Sequence, residues 1–218
     1  MSVNEPEYYS NVRKDIIALV PQGPRLLDVG GGTGATALRL KQLGHAQIVG
    51  LVDLVAAESV EGLDFCYSGD LTDPALLDRI AAEQGPFDTI VAADVLEHLV
   101  DPWTLVKRLH GMLKPGGSLL ISVPNVRHHS VSLVLLLRGE WRLRDSGILD
   151  RTHLRFFVRE TAIELATCSG LHVDRVVPTI QPRRLHSLLR TLFGRLVESL
   201  ITTQYLVRAV NESPPQSD

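Results

Sequence analysis

Short apolar runs alternate with stretches of helical composition along the first 125 residues of the chain. Apolar runs of this length, bounded by glycine, proline or aspartate, are typical of buried strands. The pattern predicts strands at residues 25–29, 47–52, 65–68, 87–92 and 117–123. Helices are predicted around them, at residues 15–20, 35–43, 74–84 and 102–113. This alternation predicts an α/β fold with helices on both faces of a doubly wound, mostly parallel sheet.

The second half of the chain has a less regular pattern. Residues 171–177 and 205–210 have the composition of two further strands, which brings the predicted sheet to seven strands. Residues 183–200 carry leucines at helical spacing among arginines, which predicts an amphipathic helix. Packing of this helix on the sheet edge or on a partner subunit is favoured over binding to a membrane surface. Residues 211–218 are rich in proline and serine and are predicted to form a disordered tail.

Composition narrows the class of protein. A chain of 218 residues with 44% hydrophobic and 22% charged residues is typical of one globular domain. Its net charge of -3 gives no reason to expect nucleic acid as a partner. Cys66 and Cys168 lack a paired spacing, which favours a reducing compartment over a disulfide framework or a zinc site. The polar N-terminus and short apolar runs predict a cytoplasmic protein without membrane insertion, and a homodimer stays open.

The most informative stretch is LLDVGGGTGA at residues 26–35. An apolar strand with Asp28 near its end leads into a turn that contains Gly30, Gly32 and Gly34, and a helix follows. Glycine is expected where a ligand presses against bare backbone and where the backbone angle φ is positive. The N–H groups at the start of the helix then face the ligand and favour negative charge. The stretch therefore predicts a nucleotide-like cofactor at the first strand-to-helix turn.

Two cofactors are compatible with this turn. The spacing Gly30-x-Gly32-x-x-Ala35, followed by Asp53, satisfies the dinucleotide fingerprint, so an NAD-dependent oxidoreductase is one alternative. It ranks last because no hydride-transfer constellation such as Tyr-x-x-x-Lys accompanies the fingerprint. The first four predicted strands instead each lead to an acid at the ligand edge of the sheet: Asp28, Asp53, Asp70 and Asp94. Four acids suit a ligand with an ammonium group, a ribose diol and an adenine amine but no phosphate, namely S-adenosylmethionine.

A series of motifs spans most of the first 125 residues in one order: LLDVGGGTG (26–34), Asp53, GD (69–70), FDTIVAADVLEHLVDPW (87–103) and LKPGGSLLISVPN (113–125). In this order they resemble the class I S-adenosylmethionine-dependent methyltransferases. EYYSNVRKDI (7–16) and GILDRTHLRFF (147–157) resemble a subgroup of small bacterial methyltransferases, often found among cell-envelope sugar and secondary-metabolite enzymes. The chain is also similar to ubiquinone-pathway O-methyltransferases and to the MetW proteins of methionine biosynthesis. The resemblance implies a Rossmann-like class I fold and S-adenosylmethionine as cofactor.

The resemblance also implies roles for individual residues on the cofactor side. It places the methionine end of the cofactor at the first turn, where Gly30, Gly32 and Gly34 would line it. Asp28 would help to hold its ammonium group. Asp53 would accept hydrogen bonds from the ribose hydroxyls and Asp70 from the adenine amine. The alternative for Asp28 is a helix cap, and the alternative for Asp70 is a hydrogen bond within its own turn.

Two further pairs of residues have implied positions near the ligand. The resemblance places Asp94 and Val95 beside the methionine end of the cofactor, near the mouth of the substrate site. A cap on a short helix at residues 95–99 is the alternative for Asp94. Tyr8 and Tyr9 precede the first strand, where the family often folds a lid over the cofactor. Packing of one tyrosine in the core is the alternative to a lid.

A hydroxyl acceptor needs a general base with a pKa near the operating pH, and histidine meets this requirement. His153, in a predicted loop, is the first candidate and His98 the second, and for both a structural role stays open. His128 and His129 are further candidates. An amine acceptor would need no strong base. No metal site is predicted, because the histidines and acids do not fall in ligand spacings such as His-Glu-x-x-His.

Arginines cluster with aromatic residues after the fifth predicted strand: Arg138, Arg142, Arg144, Arg151, Arg155 and Arg159. Arginine binds carboxylates and phosphates, so Arg155 is a candidate substrate contact, as is Asn125 after the fifth strand. A solvated face with internal ion pairs to neighbouring acids is favoured over an anion-binding site for the cluster.

These observations predict a methyltransferase that uses S-adenosylmethionine and a small-molecule acceptor, such as a sugar or a secondary-metabolite intermediate. O-methylation is favoured over N-methylation. The alternative is a non-catalytic, cofactor-binding subunit that serves another enzyme, as the resemblance to MetW proteins permits. A single domain is predicted over residues 1–210. It divides into an N-terminal lid or helix (1–24), a cofactor-binding half (25–125) and a substrate-side half (126–210).

Overall fold

A seven-stranded sheet forms the centre of the structure, a computed structural model that describes residues 12–55, 59–180 and 195–212. Its strands are β1 (Arg25–Val29), β2 (Ile48–Asp53), β3 (Phe65–Ser68), β4 (Phe87–Ala93), β5 (Leu113–Pro124), β6 (His172–Ile180) and β7 (Thr202–Val210). Their order across the sheet is β3-β2-β1-β4-β5-β7-β6. Strands β1 to β5 are parallel, and β7 runs antiparallel between β5 and β6. The predicted doubly wound, mostly parallel sheet is confirmed.

Helices connect these strands and cover both faces of the sheet. Those in the described residues are α1 (Lys14–Ile17), α2 (Ala35–Gln42), α3 (Pro74–Gln84), α4 (Pro102–Gly111), α5 (His129–Arg138), α6 (Arg159–Thr167) and α7 (Arg195–Ile201). A short 3-10 helix covers Leu96–His98. As predicted, Asp73 caps α3 by accepting from the N–H of Ala75 at 2.9 Å, with Pro74 as the first helical residue. None of the described helices is both long enough and apolar enough to cross a membrane.

Two clusters of buried apolar side chains lie on the two faces of the sheet. Successive residues of a strand point to opposite faces, so Ile90 of β4 joins one cluster and Val91 joins the other. The first cluster includes side chains of α3, α4 and α6, and the second includes side chains of α1 and α2. Burial on both faces explains the nearly continuous apolar runs of the inner strands. Helices on both sides therefore fix the strand ends and the residues that follow them.

Helices α5 and α6 are absent from the sequence prediction. α5 contains the run Val131–Leu137, in which Ser132 is the one polar residue, and such a run lacks the spaced polar positions that mark an amphipathic helix. The residue before it is His128, whose side chain accepts from the N–H of Ser130, and Gly139 follows it with a φ of 66°. Before α6 stands Val158. Neither helix starts with the serine, threonine, aspartate or asparagine that usually marks an N-cap.

Several boundaries differ from the prediction, and two of the differences lie where the start of β5 meets the end of β7. Strand β5 begins at Leu113, so residues 114–117 belong to the strand and are more than the stop signal of the preceding helix. Composition predicts that Asn211 belongs to the tail, yet its N–H donates to the carbonyl of Gly117 at 2.8 Å. Its side-chain amide also donates to the carbonyl of Lys114 at 3.2 Å. These bonds fasten the end of β7 to the start of β5.

Several predictions fall outside the described residues. They concern the lid residues Tyr8 and Tyr9, residues 183–194 of the amphipathic helix, and residues 213–218 of the tail. The last turns of that helix are described and form α7, which packs beside α5.

Candidate active site

A cavity of about 870 Å³ opens at the carboxyl ends of the parallel strands. Ligands of open α/β sheets bind at this edge. Six residues that the sequence named as site candidates line the cavity: Asp28, Gly30, Gly32, Asp94, His128 and His153. The facing wall comes from the connection between α5 and α6, residues 139–158, here called the 139–158 loop. The cavity therefore has a strand-end wall and a loop wall.

The glycine turn after β1 has the backbone conformation that the sequence predicts. The angle φ is 70° at Gly30, 58° at Gly32 and 80° at Gly34, where other residues would be strained. A Cβ atom at Gly30 would lie 2.6 Å from Cγ2 of Val95, so the turn packs tightly against the residues after β4. Because Gly30 and Gly32 line the cavity, a ligand there meets bare backbone.

Asp28 carries the clearest electrostatic signal of the cavity. Only 3% of the residue is exposed, and its Oδ2 has no hydrogen-bond partner among the described residues. Burial, with a further contribution from the Asp53 charge, raises the pKa of Asp28 to about 7. A buried carboxylate without a partner costs free energy until a cation or an N–H donor meets it. Asp28 therefore marks a place for a ligand that carries such a group.

Asp53 and Asp70 have different surroundings. Asp53 ends β2 and supports the glycine turn, because its Oδ2 accepts from the N–H of Gly32 at 2.8 Å. Its Oδ1 accepts from the N–H of Val55 at 3.0 Å. Asp70 is exposed, and its Oδ1 accepts from the N–H and the hydroxyl of Thr72, both at 2.8 Å. These bonds lower the pKa of Asp70 and are the turn contacts of the structural alternative. Neither aspartate is part of the described cavity lining.

Asp94 directly follows β4 and joins separate parts of the chain. Its φ of 57° is uncommon for a residue with a side chain. Instead of capping the 3-10 helix, its carboxylate forms an ion pair with Arg13. The same carboxylate accepts from Nε2 of Gln204 at 2.8 Å and from the hydroxyl of Ser122 at 3.3 Å. Arg13 also pairs with Asp15 at 2.9 Å. This network ties α1, β4, β5 and β7 together beside the cavity.

Three ionisable side chains meet next to this network. Potential ligand atoms of Glu97, His98 and His153 all lie within 4.8 Å of one another. Only 1% of Glu97 is exposed, and its Oε2 has no partner among the described residues. Burial, and then the charge of Asp94, raises the pKa of Glu97 well above its ordinary value. Burial, and then the proximity of His153, lowers the pKa of His98. Two imidazoles and a carboxylate could hold a divalent cation, a grouping that the sequence spacing does not reveal.

Hydrogen bonds determine which nitrogen of each imidazole carries the proton. Nδ1 of His153 lies 3.1 Å from the carbonyl oxygen of Ile148, which can only accept. Nδ1 of His98 lies 3.1 Å from Oγ1 of Thr152, whose own proton goes to Asp150 at 2.7 Å. In the neutral rings, Nδ1 is therefore protonated and Nε2 is a basic nitrogen. Of the two histidines, His153 is the one that lines the described cavity.

Two predicted substrate contacts have structural surroundings instead. Asn125 is fully buried, and its side-chain amide donates to the carbonyls of Ser199 and Thr202 at 2.7 and 2.8 Å. Arg155 donates to nearby backbone carbonyls, and its guanidinium lies over the ring of Trp103 at 5.8 Å. Neither residue is part of the described cavity lining. Both hold the chain in place, so the structure gives no support to their prediction as substrate contacts.

Other residues of the site escape the sequence reasoning: Arg13, Thr36, Glu97, Thr203 and Gln204. Arg13 lies within EYYSNVRKDI, a motif that the sequence did single out without giving this residue a role. Glu97 lies between Leu96 and His98 of a quoted motif, and an acid in such apolar surroundings was the available signal. Gln204 precedes the predicted start of the last strand, so nothing in the pattern marked it.

The residues present fit S-adenosylmethionine. The buried, unpartnered oxygen of Asp28 suits its ammonium group, and bare backbone at Gly30 and Gly32 allows a close approach. A phosphate beside Asp28 would be repelled by the ionised form of its carboxylate, whereas an ammonium group would be attracted to it. The glycine turn, the parallel sheet and the cavity at its strand ends define a Rossmann-like α/β cofactor-binding domain.

Comparison with known proteins identifies the family. A family model described as a methyltransferase domain matches residues 4–176. The chain belongs to this methyltransferase family, and its sheet and helices form the Rossmann-like class I fold. S-adenosylmethionine is the cofactor of the family, which confirms the resemblance and the cofactor inferred from the sequence.

Individual relatives agree with this placement. The ubiquinone biosynthesis O-methyltransferase of Xylella fastidiosa (strain M23) is 33% identical over 162 residues, or 71% of this chain and 63% of that relative. A SAM-dependent methyltransferase from Archaeoglobus fulgidus has a TM-score of 0.61 at 15% identity, covering 90% of each chain. The N-methyltransferase NodS from Bradyrhizobium japonicum WM9, in complex with S-adenosyl-l-homocysteine, has a TM-score of 0.56 at 16% identity. That likeness covers 96% of this chain and 88% of NodS. At such identities the two structures show the fold alone.

Proposed function

We propose that this chain transfers a methyl group from S-adenosylmethionine to a hydroxyl group of a small-molecule acceptor. The observation that carries the proposal is the buried, unpartnered carboxylate of Asp28 beside a glycine turn with positive φ, at the floor of one cavity. Similarity to a relative named as an O-methyltransferase supports oxygen as the methylated atom. The polar side chains of Arg144, Ser146 and His153 on the loop wall support a small, polar acceptor.

The strand-end wall would hold the cofactor. Asp28 accepts from the ammonium group, while Gly30 and Gly32 present backbone to the methionine end. Asp53 keeps a second acceptor site on each oxygen for the ribose hydroxyls. When bound, S-adenosylmethionine supplies an electrophilic methyl group on its sulfonium, and the protein supplies alignment. Gly34 and Val95 shape the turn, and Asp70, which follows β3, has its Oδ1 engaged by Thr72 and would accept from the adenine amine through Oδ2.

His153 is the proposed general base. Its Nδ1 is committed to the carbonyl of Ile148, so Nε2 is available to take the proton from an acceptor hydroxyl. Removal of this proton raises the electron density on the acceptor oxygen as it attacks. His98 meets the His153 ring edge to face, with 4.8 Å between centroids, and helps to position it.

The first experiment is thermal unfolding with S-adenosylhomocysteine or NAD added separately. A ligand at about 100 times its Kd should add ~2.7 kcal/mol to the free energy of unfolding. Stabilisation by S-adenosylhomocysteine alone supports the proposal, and stabilisation by NAD alone overturns it. The second experiment measures S-adenosylhomocysteine release with a panel of hydroxylated acceptors. Tight cofactor binding and a stable protein partner, with no turnover on any acceptor, would favour the alternative of a non-catalytic subunit.

A further inference from the structure

The structure separates the arginines that cluster after β5. Arg142 pairs with Glu140 at 3.3 Å, and Arg151 pairs with Asp145 at 2.7 Å. These two are the internal ion pairs that the sequence favoured. Arg144 is different, because it lies on the cavity wall.

The carboxylates around Arg144 are already engaged. Glu140 and Asp145 belong to the ion pairs with the two neighbouring arginines. Asp150, which is bridged to Arg144 through the backbone, uses its side chain to accept from the N–H and the hydroxyl of Thr152 at 2.8 and 2.7 Å. Arg144 thus has no ion-pair partner within residues 12–55, 59–180 and 195–212, although it lies close to three acids in sequence.

The cavity itself offers Arg144 no free anion either. Its described lining contains two arginines, and the charge of Arg13 is balanced by Asp94 and Asp15. Asp94 is therefore occupied. Asp28 and Glu97 are buried, with 3% and 1% of each residue exposed, whereas Arg144 is an exposed residue of the loop. Of the two arginines in the described lining, Arg144 is therefore the one whose charge no carboxylate balances.

The backbone of the 139–158 loop holds Arg144 in a defined place. Its N–H donates to the carbonyl of Leu149 at 2.8 Å, and its carbonyl accepts from the N–H of Arg151 at 2.9 Å. The rings of Trp141 and Phe156 meet edge to face at 5.2 Å and join the two ends of the loop. The same loop carries Ile148, which orients His153. One hydrogen-bonded segment therefore carries both a cation and the proposed base.

We propose that the acceptor carries an anionic oxygen group, a carboxylate or a phosphate, which the guanidinium of Arg144 binds while the acceptor hydroxyl faces His153. This inference rests on the proposed function. The fork of an arginine matches either group through two parallel hydrogen bonds. Such a contact at the loop wall would orient the acceptor toward the strand-end wall, where the cofactor lies.

The test uses pairs of probes that differ in charge. Protein saturated with S-adenosylhomocysteine is titrated by calorimetry with 3,4-dihydroxybenzoate against 3,4-dihydroxybenzyl alcohol, and with glucose 6-phosphate against glucose. We expect the charged member of at least one pair to bind about tenfold more tightly, or better, than its neutral partner. The pair that responds distinguishes a carboxylate from a phosphate. Arg144→Gln should abolish the preference, whereas Arg142→Gln, which removes a paired arginine of the same loop, should leave it intact.

The outcomes separate this inference from the function on which it rests. Failure of the wild-type protein to bind S-adenosylhomocysteine contradicts the proposed function, and the anion preference can then be measured without it. Cofactor binding without any Arg144-dependent preference for a charged probe overturns the anion proposal alone. Equal losses in the Arg144→Gln and Arg142→Gln variants overturn it as well, because they would indicate a general effect of surface charge.

Discussion

The two walls of the cavity are built in different ways. On the strand-end wall, the groups that meet a ligand are glycine backbone and a buried carboxylate, both fixed by the packed sheet. On the loop wall, residues such as Arg144 and Ser146 are exposed and are held by contacts within the loop. Because the groups of the first wall are buried, changes there alter the free energy of unfolding, in either direction, whereas exposed side chains of the second can change with little effect on stability. Substitutions in one wall should therefore impair cofactor binding without impairing acceptor turnover in the same proportion, and the reverse should hold for the other wall.

The largest effect should come from His153 on the loop wall. His153→Asn keeps a donor for the carbonyl of Ile148 but removes the basic nitrogen, so we expect kcat to fall by ~10²–10⁴. Affinity for S-adenosylhomocysteine, measured by calorimetry, should stay within about twofold of wild type. His172→Asn, on an exposed histidine of β6, is the control and should change neither quantity. A joint loss of turnover and cofactor affinity would break the separation of the two walls.

The complementary variant is Asp28→Asn on the strand-end wall. Loss of a charged partner for the ligand ammonium should weaken S-adenosylhomocysteine binding by ~10–100-fold. The control is Asp78→Asn, which changes an exposed acid of α3 that is not part of the described cavity lining and is expected to leave the affinity near the wild-type value. An equal loss in both variants would contradict the placement of the ammonium group at Asp28.

The same variant should be more stable than the wild type at high pH. The pKa of Asp28 is about 7 in the folded protein, against 3.8 for a free aspartate side chain, so the folded state binds the proton more tightly. Stability of the wild type should therefore fall as pH rises from about 4 to 7. At pH 8, Asp28→Asn removes a penalty of roughly 4 kcal/mol, measured as free energy of unfolding in urea. If the difference in free energy of unfolding between Asp28→Asn and wild type were no larger at pH 8 than at pH 4, Asp28 would ionise in the folded protein without a cost in stability.

A smaller effect concerns the pH dependence of cofactor binding. Because the ammonium group favours the ionised form of Asp28, binding should release a proton from the wild-type protein when the pH is below about 7. We expect the affinity for S-adenosylhomocysteine to rise about tenfold between pH 6 and pH 8. The Asp28→Asn protein should show a flat profile over this range. A wild-type profile that is flat, or that falls with pH, would be inconsistent with a ligand cation at Asp28.

The smallest expected effect is that of a metal chelator on turnover, which tests whether His153 on the loop wall acts as a base or as a metal ligand. If Nε2 of His153 accepts a proton, it cannot at the same time ligate a metal ion, so treatment with EDTA should leave turnover unchanged. Loss of activity that Mg²⁺ or Zn²⁺ restores would mean that Glu97, His98 and His153 hold a cation. The base assignment would then be wrong, while the assignment of the strand-end wall would be unaffected.

The difference between the strand-end wall and the loop wall also explains which parts of the site the sequence could predict. β1 and its glycine turn were predictable, because a buried strand and a backbone with positive φ leave few choices of residue. Asp53 was located by the same logic at the end of the next strand. The pair formed by Arg13 and Asp94 could not be read, because its partners lie 81 positions apart and meet only after the sheet has formed. Arg144 has no ion-pair partner among the described residues because Glu140 and Asp145 pair with other arginines. Composition alone does not predict which arginine each acid pairs with.

The position of β7 has a consequence for the order in which the site is completed during translation. Gln204 lies on β7 and binds both Asp94 and Arg13, yet it is synthesised 191 positions after Arg13. At ~5–20 residues per second, the ribosome adds those residues in about 10–40 s. By the end of this interval the nascent chain carries the glycine turn, its acids and β6, but β6 gains a neighbouring strand only when β7 has been made. The last strand to leave the ribosome is thus inserted between two strands that are already made, and it fastens the earliest part of the chain to the site.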